Sequence, residues 1–260
     1  MKGMHGIAWK KLYQTEWHGI KLKEIIEKKG LSTSKRVVVN SDFYEEFYDR
    51  YIAGEGKLED NYETEQKSIG KFLYSNYLKE GEKAVSLGCG IGLCEEEFIR
   101  QGFNIQLQEC QEKSFKYLEK KGVVIPYKWV TTNLSILPED EYDLVTMVHI
   151  CYCFTDDELL DFYRNIKRIL KKDGKLVIMT EAMSFWDIIK EKMSLNNIYR
   201  VYCRIIRKDD LLSESVFWGY LRTINRHRRL LKKFFVSVDQ SIVGQDIIPS
   251  GRLSLFVCRN

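Results

Sequence analysis

From Lys83 to Glu181 the chain alternates apolar runs with amphipathic ones, and this alternation restricts the fold more than any other feature. KAVSLG, NIQLQE, YKWVTTN, YDLVTMVHI and KLVIMTE read as strands. LCEEEFIRQG, SFKYLEKKG and TDDELLDFYRNIKRILKKDG read as helices between them. Near-continuous apolar strands separated by helices define a parallel sheet covered on both faces. The last of these helices carries its own punctuation. Thr155 and Glu158 form a capping box, Leu159, Phe162, Ile166 and Ile169 make an apolar stripe, and Gly174 is the expected stop. Toward the end of the chain, FFVSVDQSIV and RLSLFVC alternate like a hairpin, which adds two strands and an antiparallel one at the edge. The expected fold is therefore α/β: a doubly wound, mostly parallel seven-stranded sheet with an antiparallel edge strand. A helical N-terminal cap over 1–80 precedes a core over 81–260, and a substrate-covering insertion over 182–220 follows the fifth strand.

Within the cap, Ile20, Ile25 and Ile26 are spaced for one helix face, with Gly30 as a stop. SDFYEEFYDRYI reads as an aromatic helix opened by Ser41 or Asp42, and residues 64–79 read as another amphipathic helix. The chain of 260 residues is 44% hydrophobic and 30% charged, which excludes a disordered protein. No apolar run approaches the 18 or so residues of a membrane helix, and the start lacks a signal-peptide h-region. The seven cysteines are odd in number and form no CxxC pair, so a cytoplasmic protein without a disulfide framework or a zinc knuckle is expected.

In a doubly wound sheet, ligands bind beyond the carboxyl ends of the strands. The first such position is the turn Ser86-Leu87-Gly88-Cys89-Gly90-Ile91-Gly92. Glycines at alternate positions let the backbone turn sharply and approach a ligand, and a following helix start offers free N–H groups. A dinucleotide fingerprint needs its third glycine at 93, where this chain has Leu93. The shorter spacing favours a nucleoside ligand without a pyrophosphate.

SLGCGIG resembles the first motif of class I S-adenosylmethionine (SAM) dependent methyltransferases, in which an acid precedes three alternating glycines. Ser86 stands where that acid is usual. The resemblance covers residues 40–181 well and the terminal hairpin loosely. It implies SAM as cofactor, bound at Ser86, Gly88, Cys89, Gly90 and Gly92. Glu109, seventeen residues after Gly92 at the end of the second strand, matches the family acid that holds the ribose hydroxyls. Asn133 matches the position that contacts the adenine amino group, and Leu134 the backbone N–H that meets the ring. Tyr48-Asp49-Arg50-Tyr51-Ile52-Ala53-Gly54-Glu55 resembles the stretch before the core of glycine N-methyltransferase-like enzymes, where a tyrosine points toward the methionine end of SAM. Tyr51 is the matching position, with Tyr44 and Tyr48 beside it. A plain aromatic stripe packed on the sheet explains the same residues equally well.

Methyl transfer needs an aligned nucleophile and, for many acceptors, a base. His149, Tyr152 and Cys153 follow the fourth strand, where the resemblance places the transferred methyl group. His149 suits a general base and suits a pocket wall as well. If the strand continued, His149, Cys151 and Cys153 would share a face, but no further ligand completes a metal set. Phe185, Trp186, Tyr199, Tyr202, Phe217, Trp218 and Tyr220 make the insertion a candidate substrate roof.

Residues 182–233 hold twelve bases against five acids, and RTINRHRRLLKK, Arg222 to Lys233, concentrates them. A solvated helix face and an anion-facing wall are both open readings. The net charge of +4 is too small to demand nucleic acid. The expected function is transfer to an oxygen or nitrogen of a small polar, anionic metabolite, phosphorylated or nucleotide-linked, with a homodimer as a possible assembly. An RNA methyltransferase and a non-catalytic SAM-binding regulator are the alternatives.

Overall fold

A computed structural model describes residues 7–10, 16–17, 20–21, 24, 28, 41–53, 62–183, 218–244, 246–247 and 253–260. Three short strands come first: β1 (Ile7–Lys10), β2 (Glu16–Trp17) and β3 (Ile20–Lys21). Helices α1 (Ser41–Ala53) and α2 (Tyr62–Tyr77) lead into the core. The core then runs β4 (Lys83–Leu87), α3 (Glu96–Arg100), β5 (Asn104–Glu109), α4 (Lys116–Lys120), β6 (Lys128–Val130) and β7 (Tyr142–Val148). It continues through α5 (Asp156–Ile169), β8 (Leu170–Thr180), β9 (Ala182–Met183), β10 (Trp218–Thr223), α6 (Ile224–Leu231), β11 (Ser237–Val243) and β12 (Leu253–Arg259).

Seven strands form one sheet in the order β11-β12-β8-β7-β4-β5-β6. β4, β5, β6, β7 and β8 are parallel, and β12 runs antiparallel to both β8 and β11. The chain reverses its direction of winding between β4 and β7, which makes their carboxyl ends the switch point. Side chains of β4 and β7 alternate between the two faces. Ala84 and Leu144 join the layer with Ile69, Leu73 and Tyr74 of α2, while Val85, Leu87, Val145 and Met147 join Leu159, Tyr163 and Ile166 of α5. Ser86 and Thr146 are register partners, so both polar side chains share the α2 face.

Three expectations change. Ile20 lies in β3 rather than on a helix, and β1 pairs antiparallel with β10; Ile25, Ile26 and Gly30 lie outside the described residues. The β-branched residue Ile7 and the aromatic Trp9 suit that strand once a partner edge exists. The helix with the capping box ends at Ile169, and β8 begins at once, so Gly174 does not close it. Gly174 instead lies in a bulge between the Tyr142–Leu170 and Leu144–Lys175 pairs, where a Cβ would come within 2.7 Å of the Tyr142 carbonyl oxygen. β7 ends at Val148, so His149, Cys151 and Cys153 do not continue a strand face. The expected capping box is present: Thr155 Oγ1 accepts from the Glu158 N–H at 3.3 Å, and Glu158 Oε2 accepts from the Thr155 N–H at 2.7 Å.

Candidate active site

The β4 turn is held in shape by its own glycines and by β5. Gly88, Gly90 and Gly92 have φ of 63°, 61° and 77°, a region that penalises any Cβ. A Cβ on Gly92 would also lie 2.5 Å from Leu118 Cδ1, whereas one on Gly90 would meet only the Tyr48 hydroxyl, at 3.9 Å. The Gly90 face is thus the open side of the turn. The Gly88 N–H is shared by the backbone carbonyl of Gln108 at 2.9 Å and its side-chain Oε1 at 3.0 Å.

Glu109 ends β5 beside this open face. Its Oε2 accepts from the Gly90 N–H at 3.0 Å and the Tyr48 hydroxyl at 3.4 Å, and its Oε1 accepts from the Cys110 N–H at 2.7 Å. A carboxylate has about four acceptor positions, so one remains and the long Tyr48 bond is easily exchanged. That acceptor capacity, with the open Gly90 face, fits the ribose of an adenosyl cofactor. Asn133 caps a 3-10 turn over Leu134–Ile136, its Oδ1 accepting from the Ser135 N–H at 3.0 Å. Leu134 is buried, and its carbonyl accepts from Arg168 Nη2 at 2.9 Å.

Of Tyr48 and Tyr51 on α1, the structure brings Tyr48 to Glu109. Tyr48 is 1% exposed and reaches Glu109. Tyr51 stacks on Phe47 with ring centroids 5.8 Å apart and packs on Tyr117 of α4 at 5.4 Å. The helical period turns the two residues, three apart, onto neighbouring surfaces, and burial with the nearby Tyr117 drives the Tyr51 phenol well above its ordinary pKa.

His149 and Glu181 directly follow β7 and β8, which are adjacent and parallel. His149 Nδ1 lies 3.0 Å from Glu181 Oε1, and the His149 backbone N–H donates to the Met179 carbonyl at 2.9 Å. Its φ is 54°, uncommon for a residue with a side chain, and a mark of functional strain in many sites. Nε2 is buried and has no hydrogen-bond partner among the described residues. Glu181 was not anticipated from the sequence. Its only signal was its place immediately after a strand, level with His149. Tyr152 is 7% exposed in the 3-10 turn Cys151–Cys153.

A second residue missed by sequence reasoning is Glu95. It lies under the turn, 1% exposed, with Oε1 accepting from Ser86 Oγ at 2.7 Å and from the Tyr74 hydroxyl at 3.0 Å. Tyr74 also bonds Thr146 Oγ1 at 3.1 Å. Glu95 belongs to LCEEEFIRQG, a stretch that reads as a helix and singles out none of its three acids. Burial pushes the Glu95 carboxyl up to about 7, against the hydrogen bonds from Ser86 and Tyr74.

The basic run Arg222–Lys233 does not form one wall. Arg222 is fully buried: Nε donates to Asp156 Oδ1 at 2.6 Å and Nη1 to the Cys151 carbonyl at 2.9 Å, while Nη2 bonds the Phe154 carbonyl. Arg226 Nε donates to Asp156 Oδ2 at 2.8 Å. Burial alone raises the Asp156 carboxyl, but these two guanidinium groups outweigh it and hold the pKa below the usual range. Arg228, Arg229, Lys232 and Lys233 line a shallow open depression with Asn225. β11, which α6 leads into, runs parallel to β8 and so begins at the edge opposite the site. The later basic residues therefore lie toward the far edge. Trp218 and Tyr220 belong to β10; Phe185, Trp186, Tyr199, Tyr202 and Phe217 lie outside the described residues.

A mostly parallel seven-stranded sheet with the one reversed strand β12, and a glycine turn opposed by a strand-end acid, define a class I SAM-dependent methyltransferase. The chain belongs to the methyltransferase domain family, whose profile matches residues 61–236. It is 26% identical over 125 residues to the ubiquinone biosynthesis O-methyltransferase of Actinobacillus pleuropneumoniae, which covers 45% of this chain and spans about half, 49%, of that relative. Its fold resembles magnesium protoporphyrin IX methyltransferase from Synechocystis PCC 6803, solved with S-adenosylhomocysteine (SAH), at a TM-score of 0.57 and 14% identity, covering 86% of this chain and 97% of that one. It also resembles the Burkholderia thailandensis 1,6-didemethyltoxoflavin-N1-methyltransferase at a TM-score of 0.56 and 14% identity, covering 84% and 87% respectively. Among the described residues, no helix is long and apolar enough to cross a membrane, and no group of three metal-ligating side chains is present.

Proposed function

We propose that this protein transfers a methyl group from SAM to an oxygen or nitrogen of a small polar acceptor, with His149 as general base oriented by Glu181. The observation that carries the reading is the His149–Glu181 pair at the switch point, 3.0 Å apart, with Nε2 buried and without a hydrogen-bond partner among the described residues. An ionised carboxylate only accepts, so the ring proton is assigned to Nδ1 and the lone pair to Nε2. SAM supplies an electrophilic methyl carbon on a sulfonium. His149 then takes the proton that a hydroxyl or amine loses as its lone pair attacks, and Glu181 stabilises the resulting imidazolium.

The rest of the pocket is assigned accordingly. Gly88, Cys89, Gly90 and Gly92 border the cofactor, and Ser86 braces the turn from below. Glu109, helped by Tyr48, holds the ribose, Asn133 and Leu134 meet the adenine, and Tyr152 lines the acceptor side. The relatives' names, a ubiquinone biosynthesis O-methyltransferase and a 1,6-didemethyltoxoflavin-N1-methyltransferase, support a small-molecule acceptor. An anionic acceptor loses its main support, because Arg222 and Arg226 are engaged by Asp156 and the other bases lie toward the far edge.

The test is SAH formation across a panel of phenols, alcohols and amines, repeated with His149→Asn. Loss of about 10²-fold or more in turnover with unchanged SAM affinity supports the base. Preferential methylation of a tRNA or rRNA transcript would overturn the small-molecule reading, and tight SAM binding with no turnover on any acceptor would overturn the enzyme reading.

A further inference from the structure

The glycine turn lies between two carboxylates of opposite character. Glu109 meets its open face and accepts three hydrogen bonds. Glu95 lies beneath it, and its Oε2 is buried with no hydrogen-bond partner among the described residues. The approach of α2 makes this possible: a Cβ on Gly70 would come within 1.9 Å of the Cys94 carbonyl, so only glycine lets the helix bring Tyr74 onto Glu95. Glu95 therefore bridges the turn's two flanks, joining Ser86 before the glycines to its own position three residues after Gly92. Cys89, at the turn's centre, lies in the field of both acids: burial raises its thiol most, then Glu95 and Glu109.

The groups facing Glu95 are known from each side. α2 contributes Tyr74, β4 contributes Ser86, the turn contributes Cys89, and Cys94 adjoins it in the chain. Tyr74 links it onward to Thr146 of β7. None of these is a cation. A half-paired carboxyl buried in such surroundings is costly to ionise unless positive charge arrives from outside. The methyl donor brings that charge as a sulfonium and an ammonium, and its demethylated product keeps only the ammonium.

We propose that Glu95 is a proton-linked specificity residue for the methyl donor: SAM in the glycine turn holds it ionised, its proton passes to solvent on binding, and SAM is thereby favoured over SAH. The proposal rests on the SAM reading above. The product, with an uncharged sulfur, relaxes the demand on Glu95 and leaves more readily. Because burial pushes the Glu95 carboxyl up to about 7, the coupling operates in the physiological range.

Calorimetric titration of the wild type and Glu95→Gln with SAM and with SAH at pH 6 and pH 8 tests it. The cofactor's own amine titrates in both proteins and cancels. The SAM affinity of wild type over Glu95→Gln should be near parity at pH 6 and rise toward about ten-fold at pH 8. SAH should show a smaller rise. Titration in two buffers of unlike ionisation heat should register a proton release in the wild type beyond that in Glu95→Gln. Tyr74→Phe, which removes a donor to the carboxylate, should move the midpoint to higher pH, and it carries the test if Glu95→Gln fails to fold. An affinity ratio that is flat with pH, an equal rise for SAM and SAH, or an unmoved midpoint in Tyr74→Phe overturns the role of Glu95. Failure of the wild type to bind either compound overturns the donor reading instead.

Discussion

Two polar clusters follow β7 within a few residues of each other, and they are built to opposite specifications. Around Arg222, the guanidinium is matched by Asp156 and by the Cys151 and Phe154 carbonyls, and Arg226 takes the second Asp156 oxygen. Around His149, the backbone is in a left-handed conformation and a buried ring nitrogen has no partner among the described residues. A fully matched network fixes one geometry; a network short of one partner is poised for a ligand. The first cluster ties the reaction-side loop to β10 and α6. The second leaves open the ring nitrogen on which the proposed base rests.

Mutation should separate them. Arg222→Ala leaves Asp156 buried and opposed only by Arg226, so it should cost about 3–5 kcal/mol of stability, read by chemical denaturation. A loss under about 1 kcal/mol would make the cluster ornamental. Glu95→Gln should act in the opposite direction. Burial on folding pushes the Glu95 carboxyl from its ordinary 4.5 up to about 7. The native state then binds more protons than the unfolded chain in that window, so stability falls as pH rises through it. The variant should gain up to about 3 kcal/mol over the wild type at pH 8 and little at pH 4.5. A gain independent of pH would mean that packing, not ionisation, decides. His149→Asn should leave the melting temperature nearly unchanged while lowering turnover about 10²-fold, equivalent to about 2.7 kcal/mol in the barrier. If it destabilised the fold as much as Arg222→Ala, the distinction between the clusters would fail.

Glu109→Ala removes charged hydrogen-bond acceptors worth roughly 1.5–3 kcal/mol each, so SAM affinity should fall about ten-fold or more by calorimetry. The smallest effect belongs to the far basic residues. Neutralising Arg228 and Arg229 together should change neither SAM affinity nor KM measurably, and stability by no more than about 0.5 kcal/mol. A raised KM in that variant would restore the anion-facing wall.

The carboxyl-edge acid Glu109, the glycine turn and the capped helix α5 were legible because each is a local signal. Alternating glycines specify a backbone conformation, Thr155 and Glu158 specify a helix start, and a period of two sorts Val85 from Ser86. Which of Tyr48 and Tyr51 meets Glu109 was not legible, because an aromatic stripe on a helix says which residues are apolar, not which one meets β5. The same limit applied to the basic run. Composition put Arg222, Arg226, Arg228 and Arg229 on one stretch of chain, while helical geometry and Asp156 divided them between the interior and the surface.

Sequence alone therefore determined the strand order's raw material: apolar period, turn chemistry and caps, all set by neighbours within a few residues. Only the tertiary structure decided that Glu181 would stand against His149, that Glu95 would be drawn under Ser86, and that β1 would pair with β10. Those pairings join residues far apart in the chain: 32 separate His149 from Glu181, and 66 separate Asp156 from Arg222. Their energies come from burial and from matching lone pairs to donors, quantities that exist only once the sheet has closed and water has left.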